Sequence, residues 1–93
     1  MVIGLISWDL EIYGCQSLKE KRSVVKSLKD RLHDRFNVSV AETDHHDVWQ
    51  RAELSACVVA TARRHAESVL DSLDRFVASE PRARIINSYR TFY

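Results

Sequence analysis

The sequence predicts an α+β fold, a four-stranded antiparallel sheet with two helices on one face, in the order strand, helix, strand, strand, helix, strand. Three patterns predict it: alternating apolar residues at the start, two stretches with apolar residues three and four apart, and turn or cap residues between the segments. With 93 residues, there is room for one core only, so residues 1–93 are expected to form a single domain.

The first segment places Val2, Gly4, Ile6, Trp8, Leu10 and Ile12 on one side and Ile3, Leu5, Ser7, Asp9, Glu11 and Tyr13 on the other. This is the period of a strand, and the second side turns from apolar to polar along its length. Such a strand is central, covered on one face and partly exposed on the other. Gly14 ends it. Ser17 followed by Glu20 has the spacing of a capping box, and Leu18, Val25, Leu28, Leu32 and Phe36 then fall within an arc of about 80°. A helix is predicted from Leu18 to Phe36, closed by Asn37 in a left-handed conformation.

Val38 to Asp44 reads as a short strand, His45 to Gln50 as a connection, and Arg51 to Ala62 as a longer strand with Ala52, Leu54, Ala56, Val58 and Ala60 on one side. The alanines allow a helix to come close. Ala66, Val69, Leu70, Leu73, Phe76 and Val77 mark a second helix over Arg63 to Ser79, which Pro81 stops. Arg82 to Tyr93 closes the sheet, carrying Ile85, Ile86, Tyr89, Phe92 and Tyr93. Two such helices among four strands make a split βαβ arrangement, and right-handed crossovers put the first and third strands at the centre. The expectation is a ferredoxin-like sandwich with one sheet face left open.

An apolar share of 45% and a charged share of 29%, with two Gly and one Pro, belong to a chain that folds throughout, without linkers. Cys15 and Cys57 fit no disulfide or metal framework, and the amino terminus lacks a basic leader, so a reducing cytoplasm is the expected compartment. No apolar run reaches the ~18 residues of a membrane span. The formal net charge of +1 is unevenly spread. Leu18 to Phe36 holds seven basic against three acidic residues (+4), Arg63 to Glu80 three against four (−1), and the remainder four against six (−2). The first helix is thus a basic element in a slightly acidic protein.

The segments SLKEKRSVVKSL and NVSVAETDHHDVWQRAELSACVV resemble those of the YlxP-like family of small bacterial proteins of unknown function. The resemblance runs from the first strand to the last and implies a ferredoxin-like fold. It implies no catalytic residues. Genes of that family often lie beside those for translation and ribosome-maturation factors, so the resemblance implies an RNA or ribosome context.

Lys19, Arg22, Lys26, Lys29 and His33 recur at three and four, forming a cationic stripe beside the buried one. Its ordinary meaning is a solvated helix face; its functional meaning is a ridge for phosphates. Lys21 lies inside the apolar arc, where it either runs its stem over the edge of the core with the ammonium in water or joins Ser17 at the helix start to hold an anion. Ile3, Leu5 and Val59 are candidates for an apolar patch on the open sheet face, which would pair two copies into a dimer. The fold invites comparison with acylphosphatases, but YGCQSLKEKR lacks their glycine-rich phosphate cradle with its following Arg, and the third strand has no Asn to position a water.

His45, His46 and Asp47 read as a polar hairpin, since adjacent turn residues rarely converge on one metal ion. Trp49 is expected to pack across the sheet edge. No His is placed to activate either cysteine, and neither a cofactor nor a small-molecule ligand is indicated. The resulting expectation is a non-enzymatic binding module that uses the basic helix on RNA or a ribosomal partner. The alternative is a homo-oligomerisation or protein-interaction module using the sheet face.

Overall fold

A computed structural model describes every residue from Met1 to Tyr93. Strand β1 (Val2–Ile12) is followed by helix α1 (Leu18–Arg35), strands β2 (Ser39–Asp44) and β3 (Arg51–Ala60), helix α2 (Arg63–Ala78) and strand β4 (Ala83–Phe92). The sheet order is β2-β3-β1-β4 with every neighbouring pair antiparallel, so the fold is ferredoxin-like. No helix is long and apolar enough to cross a membrane.

The alternation of β1 becomes a division between two faces. Ile6, Trp8, Leu10 and Ile12 are buried under the helices with Leu54, Ala56 and Val58 of β3. Gly4 sits where α2 comes closest: a Cβ there would lie 3.3 Å from the Ala66 Cβ and 3.4 Å from the Leu70 Cδ1. α1 lies over β2, whereas α2 lies over β1, β3 and β4. The helices run antiparallel but staggered, so that only their carboxyl-terminal halves meet, through Phe36 against Phe76 and Arg31 against Glu80. Leu28 and Leu32 are buried in the core, while Lys26 faces water.

At the start of α1, Ser17 Oγ accepts the Glu20 backbone N–H at 3.1 Å, as the capping spacing requires. The reciprocal bond goes one residue further back, because Glu20 Oε2 accepts from the Gln16 N–H at 2.8 Å. Ser17→Ala is expected to cost about 1 kcal/mol, read as a lowered urea midpoint at unchanged slope.

Several element ends differ from the sequence expectation by one or two residues, and three of the differences have a visible cause. α1 stops at Arg35, and Phe36 is extended (φ −130°, ψ 146°), so Asn37 does not close the helix in the left-handed region. Tertiary packing of the Phe36 ring on Phe76 replaces the local cap. β3 ends at Ala60, not Ala62, because its partner β1 begins at Val2, which pairs with Ala60. β4 begins at Ala83, one residue late, with Arg82 offering only its carbonyl to the Tyr13 N–H.

Candidate functional site

The cationic stripe of α1 forms because residues three and four apart stack on one side of a helix. Lys19, Arg22, Lys26 and His33 are exposed and Lys29 is half-buried. Arg31 and Arg35 reach Phe76 of α2, so they mark the inner side of α1, and the stripe occupies the opposite, outer flank. By the same helical projection, Glu20, Asp30 and Asp34 stand on the exposed crest between the two flanks. An anion lying on top of the helix meets carboxylates. One approaching from the side meets cations.

Ion pairing sharpens this division. Of the fourteen Lys and Arg residues, eight lie within 4.0 Å of a carboxylate, leaving Lys19, Arg22, Lys29, Arg35, Arg64 and Arg75. All six are on helices. On the outer flank only Lys26 is paired, with Asp30 at 2.7 Å. The hydrogen bond from Lys26 holds the Asp30 carboxyl below its usual range, helped by the charges of Lys26, Lys29 and His33. The same bond raises the Lys26 ammonium.

Lys21 does not join this surface. Its side chain is fully buried, with Nζ 2.5 Å from the His45 carbonyl oxygen, 3.4 Å from that of His46 and 2.8 Å from Glu42 Oε2. It therefore neither reaches water over the core edge nor holds an anion at the helix start, and both expectations for it are corrected. Its place in the apolar arc turns it beneath α1, where the β2–β3 connection closes over it. The aligned donors go to the carbonyls, while the buried Glu42 Oε2 receives charge without an aligned hydrogen bond. His45 adopts φ 63°, and its N–H donates to Asp44 Oδ1 at 2.7 Å, which aims the His45 carbonyl at Lys21. The two imidazoles go different ways: His45 Nε2 lies 3.8 Å from Asp9 Oδ1, and His46 Nε2 lies 3.1 Å from the Glu42 carbonyl.

The open sheet face is apolar at one end only. Ile3, Leu5 and Cys57 are half-buried there, and Val59 is 65% exposed. Leu5, Ala41 and Cys57 line a shallow hollow of about 220 Å³. Towards the other end, Ser7, Ser55 and Thr43 share hydroxyl contacts of 2.7 and 2.8 Å, and Thr43 donates to Glu53. Arg51 pairs with Asp9 and Arg84 with Glu11. Trp49 is 46% exposed beside Gln50, whose carbonyl accepts the Ile12 N–H where the β1–β3 ladder ends.

A family described as "Protein of unknown function (DUF503)" matches residues 3–90. The chain belongs to that family. An uncharacterised Bacillus subtilis (strain 168) member, YlxP, is 36% identical over 80 residues, covering 86% of this chain and 87% of its own. A de novo designed protein with a ferredoxin fold, LFR1 1, superposes with a TM-score of 0.53 over 99% of this chain and 85% of its own at 17% identity, a likeness of fold alone.

This DUF503 domain also holds a group that periodicity does not reveal. Arg31 and Arg35 of α1 meet Arg75 and Phe76 of α2 around two adjoining hollows of about 410 and 400 Å³. Four-residue spacing places Arg31 and Arg35 on one side of α1. Nothing local places Arg75 against them, because that depends on the stagger between the helices.

Proposed function

We propose that this DUF503 domain is a non-enzymatic, cytoplasmic binding module that grips the phosphate backbone of RNA, in a ribosome-related setting, with the outer flank of α1. One observation carries the reading: Lys19, Arg22 and Lys29 share that flank with no carboxylate within 4.0 Å, while the acids of the helix are held on its crest. Charges of this kind attract phosphates without reading bases, so affinity is sequence-tolerant and falls steeply with salt.

Filter binding of rRNA or tRNA fragments at low salt tests it, with a charge-matched protein as control. The combined variant Lys19→Gln, Arg22→Gln, Lys29→Gln is expected to flatten the slope of log K against log salt by about 2–3 units, near 0.7–0.9 per lost phosphate contact. Affinity no greater than that of the control protein refutes the reading.

The second reading is self-association, favoured by the exposed Val59 beside Ile3 and Leu5 on the open sheet face. Apolar contact of this kind strengthens or holds as salt rises, the reverse of phosphate binding. A monomer in sedimentation at high concentration removes it.

A further inference from the structure

We propose that the groove between the carboxyl-terminal halves of α1 and α2 is a seat for a phosphate group, held by Arg35 and Arg75. The site is separate from the outer flank of α1 and stands or falls without it. The two hollows of the groove differ in charge. The first is lined by Arg31, Asp34, Arg35 and Phe76, and Arg31 is engaged by Glu80 at 3.2 Å, so its wall carries its own anions. The second, of about 400 Å³, is lined by Arg35, Phe36, Ser72, Arg75, Phe76 and Ser79. It contains two guanidinium groups and no carboxylate.

Neither Arg35 nor Arg75 has an acidic partner within 4.0 Å anywhere in the protein. Both stand in the last turn of their helices, whose carboxyl-terminal dipoles offset only a fraction of each full charge. Two like charges lining one hollow repel, and an anion between them relieves the repulsion. Ser72 Oγ accepts from Arg75 Nη2 at 3.2 Å and steadies that guanidinium at the rim. This leaves most of its five N–H donors for a ligand.

The chemistry of the walls selects the ligand class. Arginine forks match the paired oxygens of phosphate. Of the groove's two aromatic rings, Phe76 already has Arg31 and Arg35 each 5.6 Å from its centroid, and Phe36 is packed against it in a T-shaped pair. With Phe76 taken up by these contacts, the guanidinium forks carry the recognition, so the groove selects first for the phosphate and only second for the group attached to it. A monoester on a small molecule and a diester in an RNA backbone present the same chemistry.

Two-dimensional ¹H–¹⁵N NMR titrations of the full chain at low ionic strength, with inorganic phosphate, adenosine monophosphate and a single-stranded RNA oligonucleotide as separate probes, distinguish those sources. Saturable shifts at the amides of Ser72, Arg75 and Ser79 are expected with at least one probe. A response to phosphate and adenosine monophosphate assigns a monoester, and a response to the oligonucleotide alone assigns a diester. Arg75→Gln and Arg35→Gln should each weaken the binding by about tenfold or more, Arg75→Gln with the thermal midpoint unchanged and Arg35→Gln with a fall of only a few degrees, since it also gives up its contact with the Phe76 ring. The triple outer-flank variant should leave the groove shifts intact even where it abolishes RNA binding. The proposal is overturned if no probe shifts these amides saturably, if Arg75→Gln binds as the parent does, or if the outer-flank variant removes the groove response.

Discussion

Lys21→Ala is expected to lower the stability of this domain by about 3–4 kcal/mol, one of the two largest single-residue effects in the chain. The cause is not the loss of a surface cation. Lys21 carries a fully buried ammonium that links α1 to the β2–β3 connection, through the carbonyls of His45 and His46 and the carboxylate of Glu42, whose side chain is 14% exposed. Removing one partner of a buried pair strands the other: Glu42 keeps its charge out of water, and two carbonyls lose their donor. For a domain of this size the loss corresponds to a fall in thermal midpoint of about 12–30 °C. Equilibrium urea unfolding measures it directly.

A second variant separates charge from packing. In Lys21→Met combined with Glu42→Leu both charges are gone and the volume is largely kept, so much of the lost stability should return. A cost below about 1 kcal/mol for Lys21→Ala would mean that water replaces the ammonium in this site, and the clamp described above would be wrong. RNA or phosphate affinity serves as an internal check. The ammonium lies beneath α1, away from both cationic flanks, so folded Lys21→Met should bind as the parent does.

Trp8→Ala is expected to be as damaging, at about 3–5 kcal/mol. The indole is completely buried at the centre of β1, between Ser88 of β4 and Leu54 of β3 in the ladder, and its Nε1 donates to Asp74 Oδ1 of α2 at 2.9 Å. It therefore joins the sheet to the second helix both by area and by a directed bond. Trp8→Phe keeps most of the area and loses the bond, so its cost should be nearer 1–2 kcal/mol. Fluorescence follows both variants, because the only other tryptophan, Trp49, is already half exposed. Unfolding of the parent should red-shift the emission, and the Trp8 variants should start red-shifted. A parent emission unaltered by unfolding would contradict the burial of Trp8.

The positions that proved legible in the sequence are those governed by local repetition. Alternation in β1 separates Trp8, Leu10 and Ile12 from Asp9 and Glu11, and the structure keeps that separation. Spacing of three and four puts Leu28 and Leu32 in the core and Lys19, Arg22 and Lys26 in water. The Ser17 cap forms as its spacing implies. Each of these depends on the geometry of one strand or helix turn, which a short stretch of residues dictates alone. The same spacing puts Lys21 on the buried face of α1, but no local period specifies the Glu42 carboxylate and the His45 carbonyl that it meets there.

Element order, the buried faces and the cationic outer flank of α1 are thus written in the residues alone. The tertiary structure alone decided the enclosure of Lys21 by Glu42 and His45 and the meeting of Arg35 with Arg75 across the groove. The first depends on a left-handed His45 in the β2–β3 connection, and the second on how far α2 slides along α1 as each settles over its own strands. Such pairings join residues some 20 to 40 positions apart, and they follow from the packing of whole surfaces, where no local period reaches.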